Sequence, residues 1–279
     1  MLHTGSPNAL VTTIVRSAER VTPGFVRLAL QGPELRHLPA RGLDQRMKLL
    51  IPQGAYPAEL LAPMLPELEW RRRWRALDAA TRPVLRSYTV GEARPHLGEL
   101  DVDVYVHASP GPASAWALSA RPGDRLLLSA PDARRDPRLH GVQWRPGAAE
   151  RMLLAGDETA YPAIAGILRS LDPTFRVDVV LEAGDRVDAA LVEPFLAGAH
   201  LDVRMRAPGR PGGAALEGGV ADWVREHAAD AVALGHRFHA WAATETGRVA
   251  RIRSLLTDAG IRSDHVHAQG YWNDRARVD

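Results

Sequence analysis

The chain has 279 residues, long for one domain and suited to two of about 130 residues each. With 46% hydrophobic and 24% charged residues it has a globular composition, and no apolar run approaches the roughly 18 residues a membrane span needs. Cysteine is absent, which excludes disulfides, thiolate nucleophiles and Cys-ligated zinc or iron–sulfur clusters, so redox chemistry must run on an organic cofactor or a metal held by N and O ligands. The net charge of +2 at a pI of 9.3 comes from arginine, Lys48 being the single lysine, and is too small a surplus to argue for nucleic acid.

The opening "MLHTGSPNALVTT" lacks a basic-then-apolar leader pattern, which predicts a cytoplasmic protein. The first half then reads as short strands between Gly/Pro turns: "TTIVRSAERV", "GFVRLAL", "QRMKLLIP", "RSYTV", "ELDVDVYVHA" and "DRLLLSAP". Short strands without long helices between them predict an antiparallel barrel or sandwich. "ELDVDVYVHA" alternates Leu100, Val102, Val104 and Val106 with Asp101, Asp103, Tyr105 and His107, which predicts a half-buried strand. Between the third and fourth strands, Leu68, Trp74 and Leu77 suit one side of a short helix closed by Pro83, and Trp70 and Trp74, at i and i+4, suit a core contact.

Near "QWRPGAAE" the rhythm changes, which predicts domains of residues 1–148 and 149–279. "RMLLAG", "FRVDVVLEAG", "LDVRMRA" and "FHAWAAT" read as strands, each followed by a helical stretch, the second of these being "DAALVEPFLAG", before a last strand "DHVHAQGYW". Repeated βα pairs predict a doubly wound parallel sheet.

Three stretches suit a ligand. In "RSYTV", residues 86–90, Arg86 and Tyr88 share a strand face; a guanidinium fork suits a pyrophosphate and a phenol ring suits stacking, while Thr89 needs a twist or bulge near Gly91 to come round. The same residues also suit an ordinary barrel strand with a solvated arginine. In "HASPGPASAWA" small residues lead into a helix, with Ser114 as a candidate N-cap, and such a helix start admits a phosphate or is simply a capped loop. "LLAGDETAYPAI" is a strand-to-helix turn without the G-x-G-x-x-G fingerprint; Thr159 suits a phosphate there, whereas Asp157 and Glu158 oppose one. The pairs His236/His239 and His265/His267 read as structural or surface histidines more readily than as metal ligands. Hydrolase, metalloprotease and nucleotide-triphosphatase motifs do not occur.

In order along the chain, "RSYTV", "HASPGPASAWA", "ARPGDRLLL", "LLAGDETAYPAI", "AWAATETGRVARIRSLL" and "GYW" resemble the siderophore-interacting FAD-binding family, relatives of the ferredoxin reductases. The resemblance implies a flavin-binding β-barrel joined to an α/β domain, and an FAD-dependent oxidoreductase that reduces ferric siderophores or other ferric chelates with NAD(P)H or reduced ferredoxin. It implies an FAD site made by Arg86, Ser87, Tyr88, Thr89, Val90, His107, Gly111, Pro112, Ala113 and Ser114. By the same resemblance Gly156, Asp157, Glu158, Thr159 and Ala160 line the nicotinamide approach with Glu245, and Lys48, Tyr271 and Trp272 meet the substrate. No catalytic proton donor and no metal ligand is implied. The family usually continues "YTVR" and "GYWR", where this chain has Gly91 and Asn273, and "APDARRDPRLHGVQWRP" replaces a compact turn. Those departures leave open a flavin-dependent reductase acting on an organic substrate, or a non-catalytic flavin- or siderophore-binding protein.

Overall fold

The structure, a computed structural model, describes residues 7–135 and 141–274. Part of the divergent 130–146 stretch therefore lies outside the described residues. The chain divides into two units, residues 1–143 and 144–279, where the sequence reading placed the division after residue 148.

The first unit carries β1 (Asn8–Thr22), β2 (Phe25–Gln31), β3 (Arg46–Ile51), β4 (Leu65–Pro66), α1 (Glu67–Ala76), β5 (Val84–Thr89), β6 (Ala93–Arg94), β7 (Glu99–Tyr105), α2 (Pro112–Ser119) and β8 (Arg125–Pro131). Its antiparallel sheet runs β5-β3-β8-β1-β2-β7-β6, with β4 pairing β1. Alternate residues face inward on a strand, so Val11, Val15, Leu28, Leu30, Met47, Leu49, Val102, Leu126 and Leu128 form the barrel interior, which α2 caps through Ala113 and Ala117. On the outer face Leu10, Leu50, Leu127 and Trp70 form a second cluster against which Trp74 and Leu77 pack. Leu68, expected on that side, is 83% exposed; Trp70 takes its place.

Closure of the sheet happens at one glycine. After β5 the Val90 N–H still donates to the Gln45 carbonyl beside β3, but Gly91 N–H donates to the Asp101 carbonyl of β7, and Asp101 N–H returns a bond to Glu92. A Cβ at Gly91 would lie 2.6 Å from the Asp101 oxygen, closer than real side chains come.

Strand β7 is not half-buried. Glu99, Asp101 and Asp103 are each less than a tenth exposed, because arginines cover their face. Arg94 grips Asp101 through both terminal nitrogens and reaches Glu99, Arg27 grips Asp103 bidentately, and Arg16 adds a bond to Glu99. The alternation was legible, but nothing in it foretold that arginines from neighbouring strands would lie flat across the acids.

The second unit contains β9 (Arg151–Gly156), α3 (Tyr161–Ser170), β10 (Arg176–Ala183), β11 (His200–Met205), α4 (Ala214–Leu234), β12 (Phe238–Glu245), α5 (Thr246–Asp258) and β13 (Val266–Trp272). All five strands are parallel in the order β11-β10-β9-β12-β13, so the chain reverses its winding between β9 and β12. Helices α4 and α5 bury Leu216, Val220, Trp223, Val249, Ile252 and Leu256 against one face. The helix expected over "DAALVEPFLAG" is instead two short 3-10 turns, Arg186–Leu191 and Glu193–Phe195; Pro194 removes an N–H and stops a continuous helix. Among the described residues, no helix is long and apolar enough to cross a membrane.

Candidate functional site

Two sets of the sequence-predicted residues gather, one in each unit. In the first, β5 pairs β3 in unbroken register, with Met47 opposite Tyr88, Leu49 opposite Arg86, Lys48 opposite Ser87 and Arg46 opposite Thr89. Arg86 and Tyr88 therefore share the inner side, and Tyr88 packs half-buried against the barrel core together with Val90. Burial raises the Tyr88 phenol to about 12, with the nearby Arg86 charge pulling the other way, so it stays a neutral ring. Arg86 is exposed, its guanidinium donating to the Leu85 carbonyl at 2.8 Å. Those two side chains stand together as the strand pattern requires.

Thr89 does not join them. No bulge interrupts β5, so alternation leaves Thr89 on the opposite side, 6% exposed. Ser87 and Lys48 are on that outer side too, linked by a bond of 2.5 Å from the lysine Nζ to the serine Oγ.

Helix α2 also differs from expectation in its cap. Gly111 is the N-cap and Pro112 the first helical residue, a position where proline's missing N–H costs nothing. Ser114 lies one turn inside, buried, and donates its hydroxyl to the Tyr105 carbonyl at 2.9 Å. No side chain caps the helix, and nothing lies within 4 Å of where a Gly111 Cβ would be. The start of α2 is thus an uncapped, open helix end, which favours negative charge. The His107 ring is edge-on to Tyr105 at 4.8 Å.

In the second unit the turn after β9 packs tightly: a Gly156 Cβ would meet Ala160 at 2.5 Å and Ile164 at 2.9 Å. The acids following it point inward. Asp157, 1% exposed, accepts bonds from the Thr159 N–H (3.0 Å), the Thr159 hydroxyl (2.5 Å), the Thr244 hydroxyl (2.6 Å) and the Trp272 indole N–H (2.7 Å). Burial pushes its carboxyl upward while these donors pull it down. Glu158, also 1% exposed, accepts from the Gly184 N–H at 2.7 Å and from Arg206; burial again pushes it up and Arg206 opposes. The Thr159 hydroxyl that suited a phosphate is turned onto Asp157 instead.

The same edge holds residues the sequence did not single out. Arg206 bridges Glu158 to Glu182, and the fully buried Glu182 accepts from the Gly213 and Leu216 N–H groups at 2.8 and 2.9 Å, capping α4. Glu245 caps α5 through the Gly247 and Arg248 N–H groups at 2.6 and 3.0 Å. These partners are 24 to 48 residues apart in the Arg206 cluster, and no local pattern signals them. Of the histidine pairs, His236 is exposed and His239 buried. Among the described residues no group of three or more His, Asp or Glu side chains is placed to hold a metal.

Comparison with known proteins finds two family matches in succession along the chain. The profile of the siderophore-interacting FAD-binding domain matches residues 14–135, and that of the siderophore-interacting protein matches residues 149–275. The NADPH-dependent ferric-chelate reductase of Escherichia coli is 32% identical over 163 residues, covering 57% of this chain and 56% of that protein. The chain spans only 21% to 25% of three longer curated relatives that it also matches. A siderophore utilization protein from T. fusca, 26% identical, superposes at a TM-score of 0.71 over 99% of this chain and 97% of that one. The ferredoxin reductase in carbazole 1,9a-dioxygenase, 17% identical, shares the fold at a TM-score of 0.60 over 96% of this chain and 70% of that one. The chain belongs to the siderophore-interacting FAD-binding protein family.

Proposed function

We propose that this protein is a cytoplasmic FAD-dependent oxidoreductase that takes electrons from NADPH and reduces ferric siderophores or other ferric chelates. The observation that carries the FAD site is the pairing, within one unit, of an exposed Arg86 beside a core-packed Tyr88 with the open, uncapped start of α2. Arg86 and the Ala113 and Ser114 N–H groups supply a donor set for a pyrophosphate, Tyr88 supplies a neutral ring face for the isoalloxazine, and Val90, Gly111 and Pro112 shape the approach. Ser87, Thr89 and His107 support that frame rather than face the ligand. Bound FAD would accept electrons in pairs and release them singly, as a ferric centre requires, and Fe(II) is held less tightly than Fe(III) by hard oxygen ligands.

NADPH as donor is supported by the name of the Escherichia coli relative and by the reversal of winding between β9 and β12, the place where doubly wound sheets take nucleotides. Gly156, Asp157, Glu158, Thr159, Ala160 and Glu245 frame that edge. Lys48, on the outer side of β3, serves in this reading to attract an anionic chelate, and Tyr271 and Trp272 belong to the sheet edge. The exposed Asn273 and Asp274 that follow withhold the positive charge expected after "GYW", which favours a less acidic chelate. Arg86→Ala tests the FAD site: by the usual worth of a charge-assisted bond its FAD dissociation constant rises roughly 5- to 150-fold. An unchanged constant, measured by fluorescence titration of the flavin-free protein, would show the arginine to be misplaced here.

A further inference from the structure

Strand β11 (His200–Met205) forms one edge of the parallel sheet, and among the described residues it pairs with β10 alone. Just past its end, the Arg206 N–H donates to the Ala183 carbonyl of β10 at 2.8 Å, continuing a register in which Met205 stands opposite Ala183. A parallel strand turns both backbone groups of alternate residues toward the same neighbour. His200, Asp202 and Arg204 therefore bond to β10, while Leu201, Val203 and Met205 present their N–H and carbonyl groups away from the sheet. Among the described residues, no turn or loop backbone group bonds to those three.

The devices that usually blunt such an edge are missing from it. Strand β11 holds no proline, no glycine and no bulge. Its charged pair points to the α4 side, where Arg204 donates to Asp202 at 2.7 Å and to Asp222 of α4 at 2.6 Å. Alternation puts Leu201, Val203 and Met205 on the other side of the strand. Met205 is 48% exposed, and Val187, on the 3-10 turn that packs beside β11, is 56% exposed. An outward row of backbone donors and acceptors thus runs beside a strip of apolar side chains.

We propose that this edge is a homodimer interface, in which two copies of the chain join their β11 strands antiparallel about a two-fold axis at Val203. Self-complementarity identifies the occupant. Outward groups must meet outward groups, so Val203 faces the second copy's Val203 and Leu201 faces the second copy's Met205, each pair exchanging both backbone bonds. The same register sets Asp202 opposite the second copy's Arg204 on both sides of the axis, in the closer, non-hydrogen-bonded pairs where opposite charges stabilise. A slip of two residues destroys the match: in one direction Asp202 meets Asp202, and in the other Arg204 meets Arg204. A foreign strand has no reason to match both the charges and the apolar spacing, whereas a second copy does so by symmetry.

Sedimentation velocity of the full-length protein, over a dilution series reaching about 100 µM so that micromolar association is covered, tests this directly. The parent should sediment as a dimer at the top of the series and dissociate on dilution. Val203→Pro removes an N–H that points out of the sheet and so spares the bonds to β10; it should weaken self-association about tenfold or more, with the melting temperature of the dilute, monomeric protein unchanged. Met205→Lys, at an exposed position, should weaken it as well. Adding Leu201→Glu to Met205→Lys should restore the dimer, because the new carboxylate then faces the new ammonium across the axis. Should Val203→Pro melt early, Met205→Lys decides alone. A parent that stays monomeric throughout the series would overturn the proposal. So would a dimer that both single variants leave intact, which must use another surface, and a well-folded double variant that fails to recover would overturn the register centred on Val203.

Discussion

Gly91 offers a sharp test because the family resemblance leads one to expect a basic residue where this chain has glycine. The simple interpretation is a lost cofactor contact, repaired by Gly91→Arg. The structure predicts otherwise. A Cβ at this position stands 2.6 Å from the Asp101 carbonyl oxygen, so the two backbones must separate by about 0.8 Å to reach an ordinary contact of 3.4 Å. That separation breaks or lengthens the bonds from Gly91 N–H to Asp101 (3.0 Å) and from Asp101 N–H to Glu92 (2.9 Å), which join the end of β5 to β7. At about 1 kcal/mol for each bond, with strain added, Gly91→Ala and Gly91→Arg should each destabilise the barrel by about 2 to 3 kcal/mol. Urea unfolding of both variants, followed by FAD titration, measures the two effects separately. Both should lower the midpoint, and Gly91→Arg should not tighten FAD binding. A fully stable Gly91→Arg that binds FAD tightly would refute the closure argument and restore the view of a missing anchor.

Two further outcomes follow from buried charge. Glu182→Ala removes the acceptor shared by Arg206 and the first turn of α4, leaving a guanidinium short of one partner; breaking a buried ion pair of this kind costs about 3 to 5 kcal/mol, readable as an early urea transition. A loss below about 1 kcal/mol would mean that water replaces the carboxylate freely. His239, edge-on to Trp144 at 5.3 Å, is held down to about 4 by burial and then by the neighbouring His267 and His265. Its folded value lies below the ordinary 6.5, so the unfolded chain binds the proton first and stability is lost as pH falls from about 6.5 to 4, with no effect above 7. At about 1.4 kcal/mol per pH unit this amounts to roughly 2 to 3 kcal/mol by pH 4.5. Unfolding curves of the parent and His239→Phe at pH 7 and 4.5 should differ by that amount, and parallel losses in the two proteins would contradict it.

Strand and helix rhythm carried the two architectures, because a barrel needs alternating short strands and a doubly wound sheet needs βα repeats, and both patterns are local. What escaped was every feature set by residues distant in sequence. Ser114 looked like a cap because a serine before a helix often is one, but Gly111 and Pro112 start the helix three residues earlier and Ser114 turns to the Tyr105 carbonyl. Asp157 and Glu158 looked like obstacles to a phosphate, and Glu245 entered only through the family resemblance; all three are spent on N–H groups, hydroxyls and Arg206. Arg86 and Tyr88 could be paired from the two-residue period alone, whereas Thr89 could be brought round only by a bulge that the β5 register lacks. The "GYW" ending was legible as a motif, and its reason is spatial: the glycine admits Thr246, the tyrosine is the bulge, and the tryptophan reaches Asp157.

The central claim, electron flow from NADPH through FAD to a ferric chelate, is most directly tested by anaerobic stopped-flow absorbance on the FAD-loaded protein. NADPH should bleach the flavin band, and mixing the reduced protein with a panel of ferric siderophores and simpler ferric chelates should restore it at a rate proportional to chelate concentration, with Fe(II) trapped by a ferrous chelator. Bleaching by NADPH followed by no chelate-dependent recovery for any member of the panel would contradict the account and point to an organic substrate instead.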